Sequence, residues 1–181
     1  AENAYHQIRN YMQDIPSIFY YNAICVISDL STNKAGTITS GLDRFMEWKT
    51  KDGNYEDTAY ASFETFYEGM FQKERLLDIL KNFILFSGVS NSRFKVLAGY
   101  HQYFAVRKAI EKAKVATKTD GKGGVFWHTQ GSGKSLSMVF YIMPQNKNLS
   151  LEWQADLGTE WQEVQKKYLH TIGNLTLTAY N

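Results

Sequence analysis

The clearest chemical signal in the sequence is a glycine-rich run that contains a lysine and a serine. Residues 128–135 read His-Thr-Gln-Gly-Ser-Gly-Lys-Ser. Glycines let backbone N–H groups approach a phosphate closely, and the N-terminus of a following helix adds unpaired donors. In such a loop the lysine reaches the terminal phosphates and the serine hydroxyl ligates Mg²⁺. The predicted cofactor-binding residues are Thr129, Gln130, Gly131, Ser132, Gly133, Lys134 and Ser135, with Ser135 as the metal ligand.

Two predicted elements would hold this loop. Residues 125–127, Val-Phe-Trp, form a short apolar run that predicts a strand, and residues 134–141 have helical character. Pro144 is expected to end that helix. The strict phosphate-loop pattern has glycine where this chain has His128. A chance match in a loop is the alternative, but the flanking strand and helix favour a phosphate site.

A second candidate binding residue lies upstream of the loop. Residues 100–114 are amphipathic and predict a helix whose first turn contains Gln102. A glutamine amide both donates and accepts, so it matches the edge of an adenine base. The segment 100–106 resembles the adenine-reading segment of superfamily 2 helicases, and Tyr100 would line the base. The alternative is a solvated glutamine on a helix surface.

The composition indicates a globular protein with a locally basic segment. Hydrophobic residues make up 44% and charged residues 21% of the 181, which is ordinary globular usage. Residues 91–141 contain nine Lys and Arg against two Asp and Glu, which suits nucleotide or DNA phosphate. A solvated helix face remains the alternative for the lysines of 108–122. Without an apolar run of membrane-spanning length, a signal segment or a cysteine besides Cys25, we expect a cytoplasmic chain with no membrane contact.

The remaining segments predict a mixed α/β fold. Helical patterns cover residues 2–13, 41–48 and 64–86, and a buried strand is predicted for residues 18–27. Residues 29–36 are rich in Ser, Thr, Asn and Gly and predict a turn.

Several of these motifs together resemble one enzyme family. The segments 15–22, 44–50, 100–108 and 123–141 are similar to the restriction subunit of type I restriction–modification enzymes, over about residues 3–141. The resemblance implies that residues 1–57 are a remnant of a RecB-like nuclease domain. It implies that residues 58–141 supply the first strand, phosphate loop and helices of a superfamily 2 helicase lobe. Implied cofactors are ATP and Mg²⁺, and implied partners are double-stranded DNA and the modification and specificity subunits.

The resemblance also indicates which chemistry these residues lack. Gln7 and Tyr11 match the Gln-x-x-x-Tyr element of the nuclease and share a helix face, although ordinary packing is the alternative. The family's metal-binding Asp and Glu-x-Lys would precede Gln7, so we assign no catalytic residue. After Tyr141 no Asp-Glu pair follows an apolar strand, as an ATPase requires. We therefore expect nucleotide or DNA binding without turnover.

The tail, residues 142–181, follows a different pattern. It resembles part of the His-Asn-His-type nuclease domain of modification-dependent restriction proteins, with His170 and Asn174 as remnants of a site or as structural residues. Tyr141 occupies the place of the general-base histidine, and a phenol with a pKa of about 10 is unsuited to that role. Three functions stay open: a type I restriction fragment, a stand-alone nucleotide-binding module, and a metal-dependent nuclease formed by the tail.

Overall fold

The computed structural model describes residues 2–29, 31–54, 62–88 and 92–146. The chain divides into two units, Ala1–Tyr141 and Ile142–Asn181. The predictions for the tail beyond residue 146, including His170 and Asn174, lie outside the described residues. None of the helices that the structure describes is long and apolar enough to cross a membrane.

The described part of the chain is mixed α/β, as predicted. Its helices are α1 (Glu2–Asp14), α2 (Phe63–Met70), α3 (Lys73–Asn82), α4 (Tyr100–Thr117) and α5 (Lys134–Asn146). Its strands are β1 (Cys25–Ser28), β2 (Asn33–Gly36), β3 (Ile84–Ser87) and β4 (Phe94–Leu97). Strands β1 and β2 form one antiparallel hairpin with Cys25 opposite Gly36, and β3 and β4 form another with Ile84 opposite Leu97. The helices predicted at 2–13 and 100–114 are confirmed.

The predicted strand at 18–27 is wrong in its first half. Pro16 begins a 3-10 helix, Pro16–Phe19, because its fixed φ suits a first helical position. Ile18 is therefore 60% exposed, and only the end of the run joins β1. The turn predicted at 29–36 is likewise too long, since Asn33 already starts β2. The helix predicted at 41–48 is reduced to a 3-10 turn, Leu42–Arg44.

The helix predicted at 64–86 is in fact three elements. Ser62 caps α2 by accepting a hydrogen bond from the Thr65 N–H at 3.0 Å. Gln72 caps α3 in the same way, accepting from the Arg75 N–H at 2.9 Å. A second cap ten residues after the first restarts the helix, and residues 84–86 then pair with β4. Hydrophobic spacing alone does not reveal such breaks.

The first hydrophobic core lies between α1 and the β1–β2 hairpin. It is formed by Cys25, Ile27 and Phe45, each at most 5% exposed. The Tyr5 ring of α1 meets the Phe45 ring edge to face, with the ring centres 5.5 Å apart. Burial of apolar surface against a helix stabilises a short hairpin, which is at best marginally stable by itself.

The second core is centred on Phe83, which is fully buried between three helices. Its ring lies 4.7 Å from that of Tyr103 on α4 and stacks at 5.6 Å on Phe140 of α5. The Arg107 guanidinium lies 5.2 Å from the centre of the Phe83 ring and is bound by Asp78 of α3. This core therefore joins α3, α4 and the helix that follows the glycine loop.

The strand predicted at residues 125–127 is wrong. Residues 122–129 form neither helix nor strand, and Val125 and Trp127 are 95% and 78% exposed. A short apolar run becomes a strand only when a neighbour supplies backbone partners. Among the described residues each hairpin pairs within itself, so no partner strand lies beside this run. The predicted stop at Pro144 is also early, because α5 ends two residues later, at Asn146.

Replacing Phe83 by alanine should destabilise the fold by about 3–5 kcal/mol, because it would leave a cavity where three helices meet. Phe86→Ala is the matched control, since that ring is 69% exposed and should change stability by less than about 0.5 kcal/mol. Urea unfolding followed by tryptophan fluorescence measures both. Equal losses for the two variants would contradict this account of the core.

The loop before α2 should make stability sensitive to acid. The N–H of Asn54 donates to the Asp52 carboxylate at 2.9 Å and, with further bonds from Asn54 and Thr50, lowers the pKa of Asp52 below its ordinary value of 3.8. A depressed carboxyl pKa contributes stability above pH 4 that is lost as the pH falls through the folded pKa. Asp52→Asn should therefore lose less stability than the parent between pH 4.5 and 2.5. If the free energy of unfolding falls equally with pH in both chains, Asp52 makes no such contribution to stability.

Candidate nucleotide-binding site

The glycine loop has the backbone conformation that its glycines make accessible. Gly131 and Gly133 have φ angles of +80° and +79°, in the region that side chains disfavour. A Cβ at Gly131 would meet no atom within 4 Å, so glycine is required there for its backbone alone. A Cβ at Gly133 would lie 2.5 Å from the side-chain nitrogen of Gln102, so a larger residue there would also displace the Gln102 amide.

Unpaired backbone donors follow directly after the loop. Helix α5 begins at Lys134, and its first intrahelical hydrogen bond runs from the Ser137 N–H to the Gly133 carbonyl at 3.0 Å. The N–H groups of residues 134–136 come before that bond and have no carbonyl earlier in the helix to reach. Together with the positive end of the helix dipole, they make this end of α5 suited to an anion.

The Lys134 side chain folds back over the loop. Its ammonium donates to the carbonyls of His128 and Thr129 at 3.0 and 3.1 Å. The Ser132 hydroxyl donates to the same Thr129 carbonyl at 2.7 Å. The ammonium therefore lies beside the loop, where its positive charge would attract a bound phosphate. Exchange of the neutral carbonyls for anionic phosphate oxygens would strengthen these bonds, because the attraction between opposite charges is added to them.

Gln102 joins the start of α4 to the loop. Its side-chain oxygen accepts from the Gly99 N–H at 2.9 Å, and its nitrogen donates to the Gly133 carbonyl at 3.1 Å. The residue is only 5% exposed. The alternative of a solvated glutamine on the helix surface is therefore not observed. The amide nitrogen has a second N–H donor for an adenine acceptor, and adenine reading stays a prediction.

Two histidines, neither predicted as a binding residue, lie next to each other at the loop. His101 Nε2 lies 3.1 Å from the Ser132 carbonyl oxygen, and the His101 and His128 ring centres are 5.5 Å apart. Burial lowers the pKa of His128, and the neighbouring His101 and Lys134 lower it further. The one sequence signal for His101 was its place beside Gln102 in the first turn of the predicted helix.

The metal-ligand chemistry near the loop is sparse. Ser135 is exposed at the N-terminus of α5, where its hydroxyl is accessible to a cation. Across the described ranges, no group of three or more His, Cys, Asp or Glu side chains is placed to hold a metal. These residues fit Mg²⁺ that arrives with a nucleotide, because Mg²⁺ commonly takes phosphate oxygens, waters and one or two protein oxygens.

The two candidate nuclease residues lie together on α1. The Gln7 amide donates to the Tyr11 hydroxyl at 2.8 Å, and both side chains are exposed. The spacing of four residues therefore places them side by side, as a helix requires. Their role in DNA cleavage stays a prediction.

Comparison with known proteins agrees with the loop chemistry. Residues 101–152 match the SWI2/SNF2 ATPase family, and this match includes Gln102 and the whole glycine loop. It continues past Tyr141, where the helicase-like segment was predicted to end, and that boundary stays a prediction.

Three relatives extend the similarity beyond the loop. The type I restriction enzyme HindI endonuclease subunit of Haemophilus influenzae is 37% identical over 80% of this chain and 15% of its own length. The putative MjaIXP endonuclease subunit of Methanocaldococcus jannaschii is 31% identical over 84% of the chain and 16% of its own. A third, the putative MjaVIIIP endonuclease subunit of the same organism, is 31% identical over 81% of the chain.

The chain thus spans about 15% of the length of the relatives that it matches across four fifths of its own. The predicted family resemblance is confirmed by these relatives, which also cover the segment before the glycine loop. We conclude that the chain belongs to the family of type I restriction enzyme endonuclease subunits, of which it represents a portion.

Proposed function

We propose that this chain binds ATP together with Mg²⁺ at the glycine loop, as part of the DNA-translocating motor of a type I restriction enzyme. One observation carries the proposal. The carbonyls of Ser132 and Gly133 are bonded towards α4, while the N–H groups at the start of α5 precede any intrahelical partner. Carbonyls held to one side and donors left on the other are what an anion site requires.

Each residue of the loop has a definite part in this proposal. The N–H groups of residues 133–136 bind the phosphates, and the Lys134 ammonium moves from its present carbonyl partners to the terminal phosphate oxygens. The Ser135 hydroxyl ligates Mg²⁺. Gln102 supports the loop and offers its second N–H to the adenine. Bound Mg·ATP would supply the phosphoanhydride bond whose cleavage, with transfer of the terminal phosphoryl group to water, drives translocation in this class of motor.

We further propose that these 181 residues bind ATP without hydrolysing it. An ATPase of this kind needs an acidic residue to orient Mg²⁺ and the attacking water. Residues 142–181 contain no Asp-Glu pair after an apolar strand. In the much longer relatives, other segments would supply that acidic residue. Other segments would likewise supply the metal-binding carboxylates of the nuclease, whose site would include Gln7 and Tyr11.

The partners proposed for the intact enzyme are double-stranded DNA and the modification and specificity subunits, in the cytoplasm. The net charge of residues 91–141 is strongly positive, and Lys108 and Lys112 are exposed on α4, where they suit DNA phosphates. Arg107 is left out of this surface, because its guanidinium is paired with the Asp78 carboxylate.

Replacing Lys134 by alanine should weaken Mg·ATP binding at least about tenfold, because it removes charge-assisted bonds to phosphate. Lys122→Ala, an exposed lysine in the segment before the loop, is the charge-matched control and should bind within about twofold of the parent. Isothermal titration calorimetry measures all three chains. No saturable binding by the parent, or equal affinity after Lys134→Ala, would refute the proposal.

The parent chain should release no phosphate from ATP above the rate of a buffer blank, with or without DNA. A coupled phosphate-release assay at saturating Mg·ATP measures this, and Lys134→Ala serves as the comparison. Steady release that Lys134→Ala abolishes would show that the chain is a complete ATPase and would overturn the proposal of binding without turnover.

A further inference from the structure

Two consecutive side chains of α4 hold two consecutive carbonyls of the glycine loop. His101 Nε2 lies 3.1 Å from the Ser132 oxygen, and Gln102 Nε2 lies 3.1 Å from the Gly133 oxygen. A carbonyl oxygen only accepts, so Nε2 of His101 must carry the hydrogen of this bond. The first turn of α4 therefore contacts the loop through two donors.

Because the peptide group is planar, the bonds to these carbonyls also fix the direction in which the following N–H groups of the loop point. In a planar trans peptide the carbonyl of one residue and the N–H of the next point in opposite directions. A bond from His101 to the Ser132 carbonyl therefore turns the Gly133 N–H away from α4. This peptide joins Ser132 to Gly133, and Gly133 has a φ of +79° and can adopt either sign of φ, so the peptide needs an external bond to keep one orientation.

The His101 ring is itself held in place. Its centre lies 5.5 Å from that of His128 and 5.4 Å from that of Tyr100, which it meets edge to face. The residue is partly buried, so its rotamer is restricted on both sides. A donor fixed in this way orients the Ser132–Gly133 peptide at little entropic cost.

We infer that His101 is a positioning residue for the phosphate chain of the nucleotide: it aims the Gly133 N–H at the anion without touching it. The inference rests on the proposed nucleotide binding and adds to it a residue that lies outside the glycine motif. His101 therefore contributes to the affinity for the polyphosphate and not to the affinity for the base.

The test uses two variants of the full 181-residue chain that separate the ring from its donor. His101→Phe keeps a ring between His128 and Tyr100 but has no donor, whereas His101→Gln keeps a donor nitrogen near Nε2 but has no ring. Calorimetric titrations use Mg·ATP and, separately, Mg²⁺ with inorganic tripolyphosphate. His101→Phe should weaken binding of both probes by about fivefold, the value of one hydrogen bond, and His101→Gln should remain within about twofold of the parent.

The outcomes separate this inference from the proposed function. Unchanged affinity in His101→Phe, or a loss confined to ATP, overturns the positioning role, while a Lys134→Ala loss would leave the nucleotide site standing. Equal losses of affinity in His101→Phe and His101→Gln would show that the hydrogen-bond donor does not determine phosphate binding, and would overturn the positioning role as well. Failure of the parent chain to bind either probe refutes both proposals. Thermal unfolding midpoints of all chains identify a variant that has lost its fold, and the other variant then decides the result.

Discussion

The buried side-chain amide of Gln102 is the interaction on which the geometry of the candidate site depends. It pairs with the backbone N–H of Gly99 on one side and with the Gly133 carbonyl on the other, so one side chain both caps α4 and fixes the loop. The amide is only 5% exposed, so loss of one of these partners inside the packed fold would cost about 1–3 kcal/mol. A side chain at position 133 would displace this amide, which adds to the positive φ in favouring glycine there.

The position of that amide is set by the packing beneath it. Phe83 contacts Tyr103 of α4 and Phe140 of α5, and Asp78 binds Arg107 one turn further along α4. The two helices that flank the loop are therefore fixed to the same buried ring. The phosphate-facing donors are thus a property of the packed unit, because a glycine-rich loop alone would not keep one orientation.

Local signals in the sequence predicted the loop glycines and the two helices that contact the loop. The glycines at 131 and 133 and the helices at 100 and 134 follow from residue type and periodicity, and the structure has them there. The strand at 125–127 was wrong, because strand formation needs a neighbouring strand that residues 125–127 do not encode. The break before Lys73 and the contact between His101 and Ser132 were not predicted, since a side-chain cap and a contact 31 residues apart leave no periodic signal.

The relatives, the ATPase family match and the loop geometry lead to one central claim: the start of α5 and the loop before it form a phosphate site prepared by α4. Two-dimensional ¹H–¹⁵N NMR of the full chain tests this most directly, because it observes the glycine amides themselves. On addition of Mg·ATP, we predict saturable shifts of the Gly131 and Gly133 amide signals, with the signals of the β1–β2 hairpin unmoved. Glycine signals that stay unchanged at millimolar Mg·ATP would contradict the account.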